Sequence, residues 1–478
     1  DWGTKRILTG PSGRQIDVEF RLPPDWTTEE KNGTLSLRGQ APAEIGITVR
    51  LRLPNASISK AAPSMAELEI DGPDEDREHV AGAIRTLRAQ LAHSGRPSGP
   101  FGLTSDRFEG RVFWDADLWV LPACLILDPP VAKLIAEFRL NSLGQAAKNY
   151  KLWREAGMPI ARGTLPATQG IEPGIKFPWE SDASGRESSP TETRFQDHVT
   201  ASVMLGLDWA SAFGLVDSAV VNSAGRQAAN FYLSRSEVGL GNQREIRGTV
   251  SPSERHVADN DLFTNVMAEW CVNRFLNRAE TFARPKDETT YMTFDGDIFG
   301  QYQQAAALLA IFPAQDRLVE SESTRMYDRF SKKVTEYGPA MSDAIHAIVA
   351  ARMGQPDVAY KDWQQSWTRF TDENGYFFEK QPNRDTIFLT GLAANLNAVL
   401  YGFLGLRLDR FEPNAPWKLP LANGYWISSS PHLPKAWKSI TLKNIQLGGQ
   451  RFTIRATHDR LDVTKSPDRP EELPAKRQ

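Results

Sequence analysis

Between Ile47 and Leu53, apolar residues alternate with Thr48, Arg50 and Arg52. A period of two turns one face of a strand toward a core. Shorter runs near 16–22 and 66–70, separated by Pro and Gly clusters, read the same way. They predict a small N-terminal β module over 1–75. From Arg77 the period lengthens: Val80, Ile84, Leu87 and Leu91 fall at helical spacing, with Arg85 and Arg88 turned elsewhere. This is read as a linker helix over 77–93, which the Gly/Pro-rich run SGRPSGPFG then breaks, the linker and its loop filling 76–110. The next three hundred or so residues are repeatedly helical in pattern. Helices are predicted over 130–153, 198–212, 260–282, 301–312, 340–353, 359–370 and 390–404, with long loops at 157–189 and 243–259. Paired helices of this kind build a bundle, a solenoid or a closed α/α toroid, and no fixed repeat marks a solenoid. After Phe411 strands return. Leu442, Ile445 and Leu447, the Gly448-Gly449 turn, then Phe452, Ile454 and Ala456 predict a hairpin in a small C-terminal β domain over 409–465. The charged, proline-containing tail, 466–478, is expected to be disordered.

Composition narrows the function classes. A chain of 478 residues is expected to hold one large domain with smaller appendages. A formal net charge of -3 makes no electrostatic case for nucleic acid or an anionic membrane as partner. No apolar run approaches the roughly 20 residues that span a bilayer; the longest, at 118–127, is interrupted by Pro122. Cys124 and Cys271 sit in apolar stretches with no CxxC and no nearby histidine, a poor metal site. They read as buried core residues, with a disulfide left open. The first residue, Asp1, is not a methionine, as in a processed or trimmed form, and the compartment stays open between secreted, periplasmic and cytoplasmic.

No phosphate loop, zinc motif or nucleophile elbow occurs. Acidic residues instead cluster with aromatic ones in loops beside helix ends: FWDADLW at 113–119, KFPWES at 176–181, SPSERH at 251–256 and YFFEKQ at 376–381. These supply Asp115, Asp117, Glu180, Glu254 and Glu379. A carboxylate beside apolar rings tends to keep its proton, as a general acid must. A second, ionised carboxylate can activate water. Spacing of about 6.5–9.5 Å between the two gives inversion at a glycosidic bond, and about 5–5.5 Å gives retention. Taken alone, any of these acids could equally be a helix cap or an ion-pair partner.

The chain resembles glycoside hydrolase family 65 from about Asp76 to Phe411. The resemblance runs through FEGRVFWDADLWVLP, KFPWESDASG, IRGTVSPSERHVADNDLFTNVMAEW, FDGDIFGQYQQAAALLAIFP, GPAMSDAIHAI and FLTGLAANLNAVLYGFLGLRL. It looks nearest to the hydrolase branches, those of acid trehalase and of the glucosidase acting on glucosyl-galactosyl-hydroxylysine. It implies a mainly α fold, an (α/α)6 catalytic barrel over 111–408. It also implies roles. Glu254 matches the family's general acid, and Glu379 falls where the hydrolase branches place their general base. Trp114, Asp115, Trp179 and Glu180 match residues lining the −1 glucose pocket, and Gln303 and Gln304 match a sugar-contacting Lys-Gln pair. His198 and His346 match positions near the active-site face, where a structural role is an equal reading. Ser253, Arg255, Gln303 and the run 393–397 depart from the family pattern at sugar-binding positions. The segment before the linker helix is also much shorter than the family's N-terminal β domain.

The expected activity is therefore inverting hydrolysis of an α-glucoside such as a kojibiose-like α-1,2-glucosyl-galactose or trehalose. The partner is a small carbohydrate, with no metal or organic cofactor, and a homodimer is allowed. Two rivals remain: a disaccharide phosphorylase of the same family, in which phosphate replaces the water, and a non-catalytic sugar-binding protein on a degenerate barrel.

Overall fold

The alternating run near 47–53 forms the strand Gly46–Arg52, antiparallel to Gln15–Arg21, which pairs in turn with Thr4–Thr9. Thr27–Lys31 and Thr34–Arg38 form a separate hairpin. The computed structural model describes these five strands and residues 65–465, except 104, 106, 167–171, 191, 255, 299, 336–337, 373–374 and 381–385. The predicted tail lies outside the described residues. The chain divides into two compact units, Asp1–Pro63 and Ser64–Gln478.

The strand Glu67–Asp71, read from sequence with the N-terminal β module, pairs with Ser439–Leu447 at the other end of the chain. It is the edge of a four-stranded sheet completed by Gln450–Thr457 and Leu461–Lys465. Its alternating pattern says only that one face is buried; which sheet buries it is a tertiary matter. The Ser439–Thr457 hairpin turns through Gly448 and Gly449, both at positive φ (53° and 78°), as a two-residue turn requires. A second, three-stranded sheet joins Leu406–Asp409, Trp426–Ser429 and Trp417–Pro420.

The helices that follow the linker helix α1 (Asp74–Gln90) alternate in character. Those buried all round are α2 (Leu121–Leu127), α5 (His198–Ala212) and α12 (Leu389–Asn397). Amphipathic ones include α3 (Pro129–Asn141), α4 (Leu143–Glu155), α6 (Ser218–Arg235), α9 (Ser323–Phe330) and α11 (Pro356–Thr368). The largely buried α7 (Leu262–Leu276) and α10 (Ser342–Arg352) and the short α8 (Arg317–Glu320) complete the set. A helix apolar on every side needs neighbours on every side. They are present: α2 touches α5, α5 touches α7, α7 touches the 3-10 turn Ala307–Ala310, that turn touches α10, α10 touches α12, and α12 returns to α2. Each of these buried elements also meets an outer helix, α3, α6, α9, α11 or α1.

Three predicted helices come out differently. The run 130–153 is two helices broken at Ser142. The last predicted helix, 390–404, passes from α12 into a π-helical stretch, Ala398–Phe403. The run 301–312 is helical only at Ala307–Ala310. Its earlier backbone groups bond sideways instead, Tyr302 N to Lys333 O (2.7 Å) and Thr335 N to Tyr302 O (2.8 Å). Partners from a neighbouring segment outcompete the i−4 carbonyls that periodicity assumes.

Candidate active site

Two of the aromatic–acidic motifs are stitched together directly. Val112–Phe113 pairs antiparallel with Glu180–Ser181, and Trp114 N donates to Trp179 O at 3.2 Å. Trp114 is buried and set edge-on to His198, their rings 4.6 Å apart. Trp179, partly buried, meets the Phe113 ring edge-on at 4.8 Å. Glu180 is buried and receives Arg111 Nη1 at 2.8 Å. Burial pushes its carboxyl pKa up while Arg111 opposes the rise.

Asp115 stands at the start of the π-helical turn Ala116–Val120 and makes no side-chain cap there. It accepts Thr390 Oγ1 at 2.8 Å, from the first turn of α12. Desolvation pushes its pKa up to about 6, the negative charge of Glu379 adding to the rise. Asp115 and Glu379, 264 positions apart in the chain, therefore feel each other's charge.

Glu254 sits on the tip of a short hairpin, Thr249–Val250 against Val257–Ala258. The tip is closed by Glu254 N donating to Ser251 O (2.8 Å) and Ser251 N to His256 O (2.9 Å). Glu254 lies at φ 69°, a left-handed conformation costly for a residue with a Cβ and most often retained at functional sites. Gln304 Nε2 donates to Glu254 Oε1 at 3.2 Å. The next residue, Ala305, donates its N–H to Ser342 Oγ (3.2 Å) at the start of α10. Two residues before that serine, Ala340 N donates to the carbonyl of Glu379 at 2.8 Å. One segment, 340–342, thus anchors both the Gln304 loop beside Glu254 and the backbone of Glu379. The Glu379 carboxylate lies 3.8 Å from Arg107 Nη1 and 3.3 Å from Lys380 Nζ. Trp179 Nε1, Gln303 Oε1 and Gln304 Oε1 are buried without a hydrogen-bond partner among the described residues. Buried polar atoms left in this way are what hydroxyl groups of a bound polyol would satisfy.

Residues 84–298 match the glycosyl hydrolase family 65 central catalytic domain, and residues 424–476 match that family's C-terminal domain. The chain belongs to glycosyl hydrolase family 65. Its relatives include a kojibiose hydrolase from Mucilaginibacter mallensis, 25% identical over 82% of this chain and 57% of that protein. A protein-glucosylgalactosylhydroxylysine glucosidase from Gallus gallus is 26% identical over 84% of this chain and 58% of its own. A kojibiose phosphorylase from Escherichia coli K12 is 24% identical over 81% and 57%. The chain thus spans little more than half the length of these relatives. A solved structure of a putative kojibiose phosphorylase from human microbiome shares the fold, with TM-score 0.67 and 15% identity over 98% of this chain and 74% of the other.

Within this family 65 chain the remaining expectations separate. Asp117 is buried against Arg139, whose Nε reaches both carboxylate oxygens (3.0 and 3.1 Å) while Nη2 also donates to Phe113 O (3.0 Å). It ties α3 to the strand before Trp114 and is not turned to the site. Gln304 is no exposed helical polar residue; it is buried in an irregular segment. His198 is buried, held neutral by desolvation with its pKa pushed down to about 3, and bonded to Gln196 (2.9 Å). His346 is buried beside Asp343 on α10 (3.4 Å). Arg255 lies outside the described residues. Cys124 and Cys271 are buried and free. Sequence reasoning missed Arg107, Arg111 and Thr390, although each flanks or lies inside a quoted motif; their roles are to meet carboxylates contributed by distant segments. Among the described residues no group of His, Cys, Asp and Glu could hold a metal ion.

Proposed function

We propose that this protein is an inverting glycoside hydrolase that releases glucose from an α-glucoside, a kojibiose-like α-1,2-linked disaccharide being the favoured class. The observation that carries the reading is the linkage of Glu254 and Glu379 through one short segment before α10, the first held by Gln304 and the second flanked by Arg107 and Lys380. The relatives named kojibiose hydrolase and protein-glucosylgalactosylhydroxylysine glucosidase support it. The catalytic unit is taken to be an (α/α)6 barrel over 111–408, with the C-terminal β domain over 409–465. The ring of buried helices, each backed by an outer helix, supports that architecture.

In this mechanism Glu254 protonates the glycosidic oxygen as the bond lengthens. The oxocarbenium-like glucose is oriented by Trp114, Asp115, Trp179, Glu180, Gln303 and Gln304. Glu379 takes a proton from water on the opposite face, and β-glucose leaves. Each acid–base group contributes on the order of 10²–10⁴-fold. Glu254→Gln and Glu379→Gln should each lose that much kcat on kojibiose while still binding glucose by calorimetry. Retained turnover in either variant rejects the assignment.

A second reading, phosphorolysis, is favoured by the kojibiose phosphorylase relatives. A phosphorylase needs no base carboxylate, because phosphate arrives already anionic. Incubation of kojibiose with and without phosphate separates the two. Glucose alone as the β anomer, unaffected by phosphate, supports hydrolysis; glucose 1-phosphate supports the rival.

A further inference from the structure

Residues 107–110 form a turn of the wrong hand. Phe108 (φ 54°, ψ 23°), Glu109 (φ 53°, ψ 28°) and Gly110 (φ 65°) all lie in the left-handed region. Only the last is a residue that adopts it without cost. Two consecutive strained residues persist only where their surroundings over-determine them.

The clamps here are specific. On one side Arg107 lies over the Phe101 ring (5.1 Å to its centre) and reaches Glu379 at 3.8 Å. On the other, Arg111 N closes the turn on Phe108 O (2.9 Å) while its guanidinium holds Glu180 at 2.8 Å. The turn is thus bracketed by two arginines, each paired with a carboxylate of the candidate site. Between them the Phe108 ring projects outward. Its inner side leans on Phe113 (ring centres 5.0 Å), which leans on Trp179 (4.8 Å), and on buried Phe101 (5.7 Å). The residue nonetheless stays 43% exposed. Packing on Phe101 and Phe113 accounts for one side of the ring; the side left to solvent stands beside the carboxylates of the candidate site.

We propose that Phe108 is the platform on which the leaving sugar of the substrate rests: an apolar face for the aglycone pyranose, just outside the glucose pocket, so that the enzyme selects disaccharides over glucosides with small leaving groups. A pyranose presents a C–H face that an exposed aromatic ring covers at little conformational cost. The inference rests on the α-glucoside reading of the same pocket.

Phe108→Gly is the informative variant, because glycine accepts the left-handed conformation and removes the ring while relaxing the turn. Phe108→Trp keeps a platform. The ratio of kcat/KM on kojibiose to kcat/KM on α-glucosyl fluoride, whose leaving group is a single atom, should fall roughly 10–100-fold in the glycine variant, the worth of one buried aromatic face. It should stay within about threefold of wild type in the tryptophan variant. In parallel, calorimetry should show kojibiose binding weakened in Phe108→Gly by a larger factor than glucose binding. An unchanged ratio, or equal losses on both substrates and on both sugars, overturns the proposal. If the unaltered protein binds kojibiose and glucose without cleaving either, the hydrolase reading fails. The calorimetric comparison then still decides the role of Phe108, and failure to bind kojibiose at all overturns it.

Discussion

Asp115, partly buried, accepts the Thr390 hydroxyl and lies close to the charge of Glu379. Its pKa, 3.8 in free solution, rises to about 6 in the folded protein. A carboxyl whose folded pKa is raised binds its proton more tightly in the native state, so its ionisation destabilises the fold as pH rises from the unfolded value through the folded one. Asp115→Asn cannot ionise. Relative to wild type it should therefore gain stability between about pH 4 and pH 7, by on the order of 3 kcal/mol at the upper end. Its activity should fall, since the amide presents a donor where the carboxylate presents acceptors. Thermal melts of both proteins across that range check the first point; a constant difference in Tm would contradict it. None of this was legible in the sequence, which marked Asp115 through its motif but could not show that Thr390 and Glu379 converge on it.

At the scale of elements, α6 and α7 approach closely because Gly225 has no side chain. A Cβ built there would lie 2.2 Å from the Phe275 ring. In an isolated helix, replacing glycine by alanine stabilises by roughly 0.5–1 kcal/mol. Here overpacking costs about 1–3 kcal/mol, so the steric cost wins and Gly225→Ala should lower stability by about 1–2 kcal/mol in denaturant melts. A stabilised variant would mean that Phe275 moves aside freely. Helix existence was largely legible from the 3.6-residue pattern, as at α5, α7, α10 and α11. It failed at 301–312 because Tyr302 and Ala305 bond to Lys333, Thr335 and Ser342. That failure matters, since it is how Gln304 comes to reach Glu254.

At the scale of the whole molecule, Asp76 on α1 joins three distant parts of the chain. Its Oδ2 accepts Tyr360 OH (2.7 Å) from α11 and Trp437 Nε1 (2.8 Å) from the loop before the C-terminal sheet. Asp76 and Trp437 are fully buried. Asp76→Ala strands the buried Trp437 Nε1 donor, at a cost of about 1–3 kcal/mol, while the partly buried Tyr360 hydroxyl keeps Gln364 beside it (2.9 Å). The variant should lose about 1–3 kcal/mol, with one cooperative transition moving to lower denaturant. A separate early transition of the C-terminal region would show instead that α1 does not couple it to the helices. The strand Glu67–Asp71 makes the same connection through backbone pairing with Ser439–Leu447, which explains why no reading of local alternation could assign it to the right sheet.

By itself the sequence determined the helical and strand periods, the turn glycines at 448–449, the absence of any long apolar span and the family motifs, because these depend on residues near one another in the chain. Tertiary structure alone decided that Thr390 reaches Asp115, that Asp117 is spent on Arg139, that the first part of the helix predicted over 301–312 yields to sideways bonding, and that a left-handed turn leaves Phe108 partly exposed. Those outcomes depend on desolvation and on partners supplied by segments hundreds of residues away, and no local pattern encodes them.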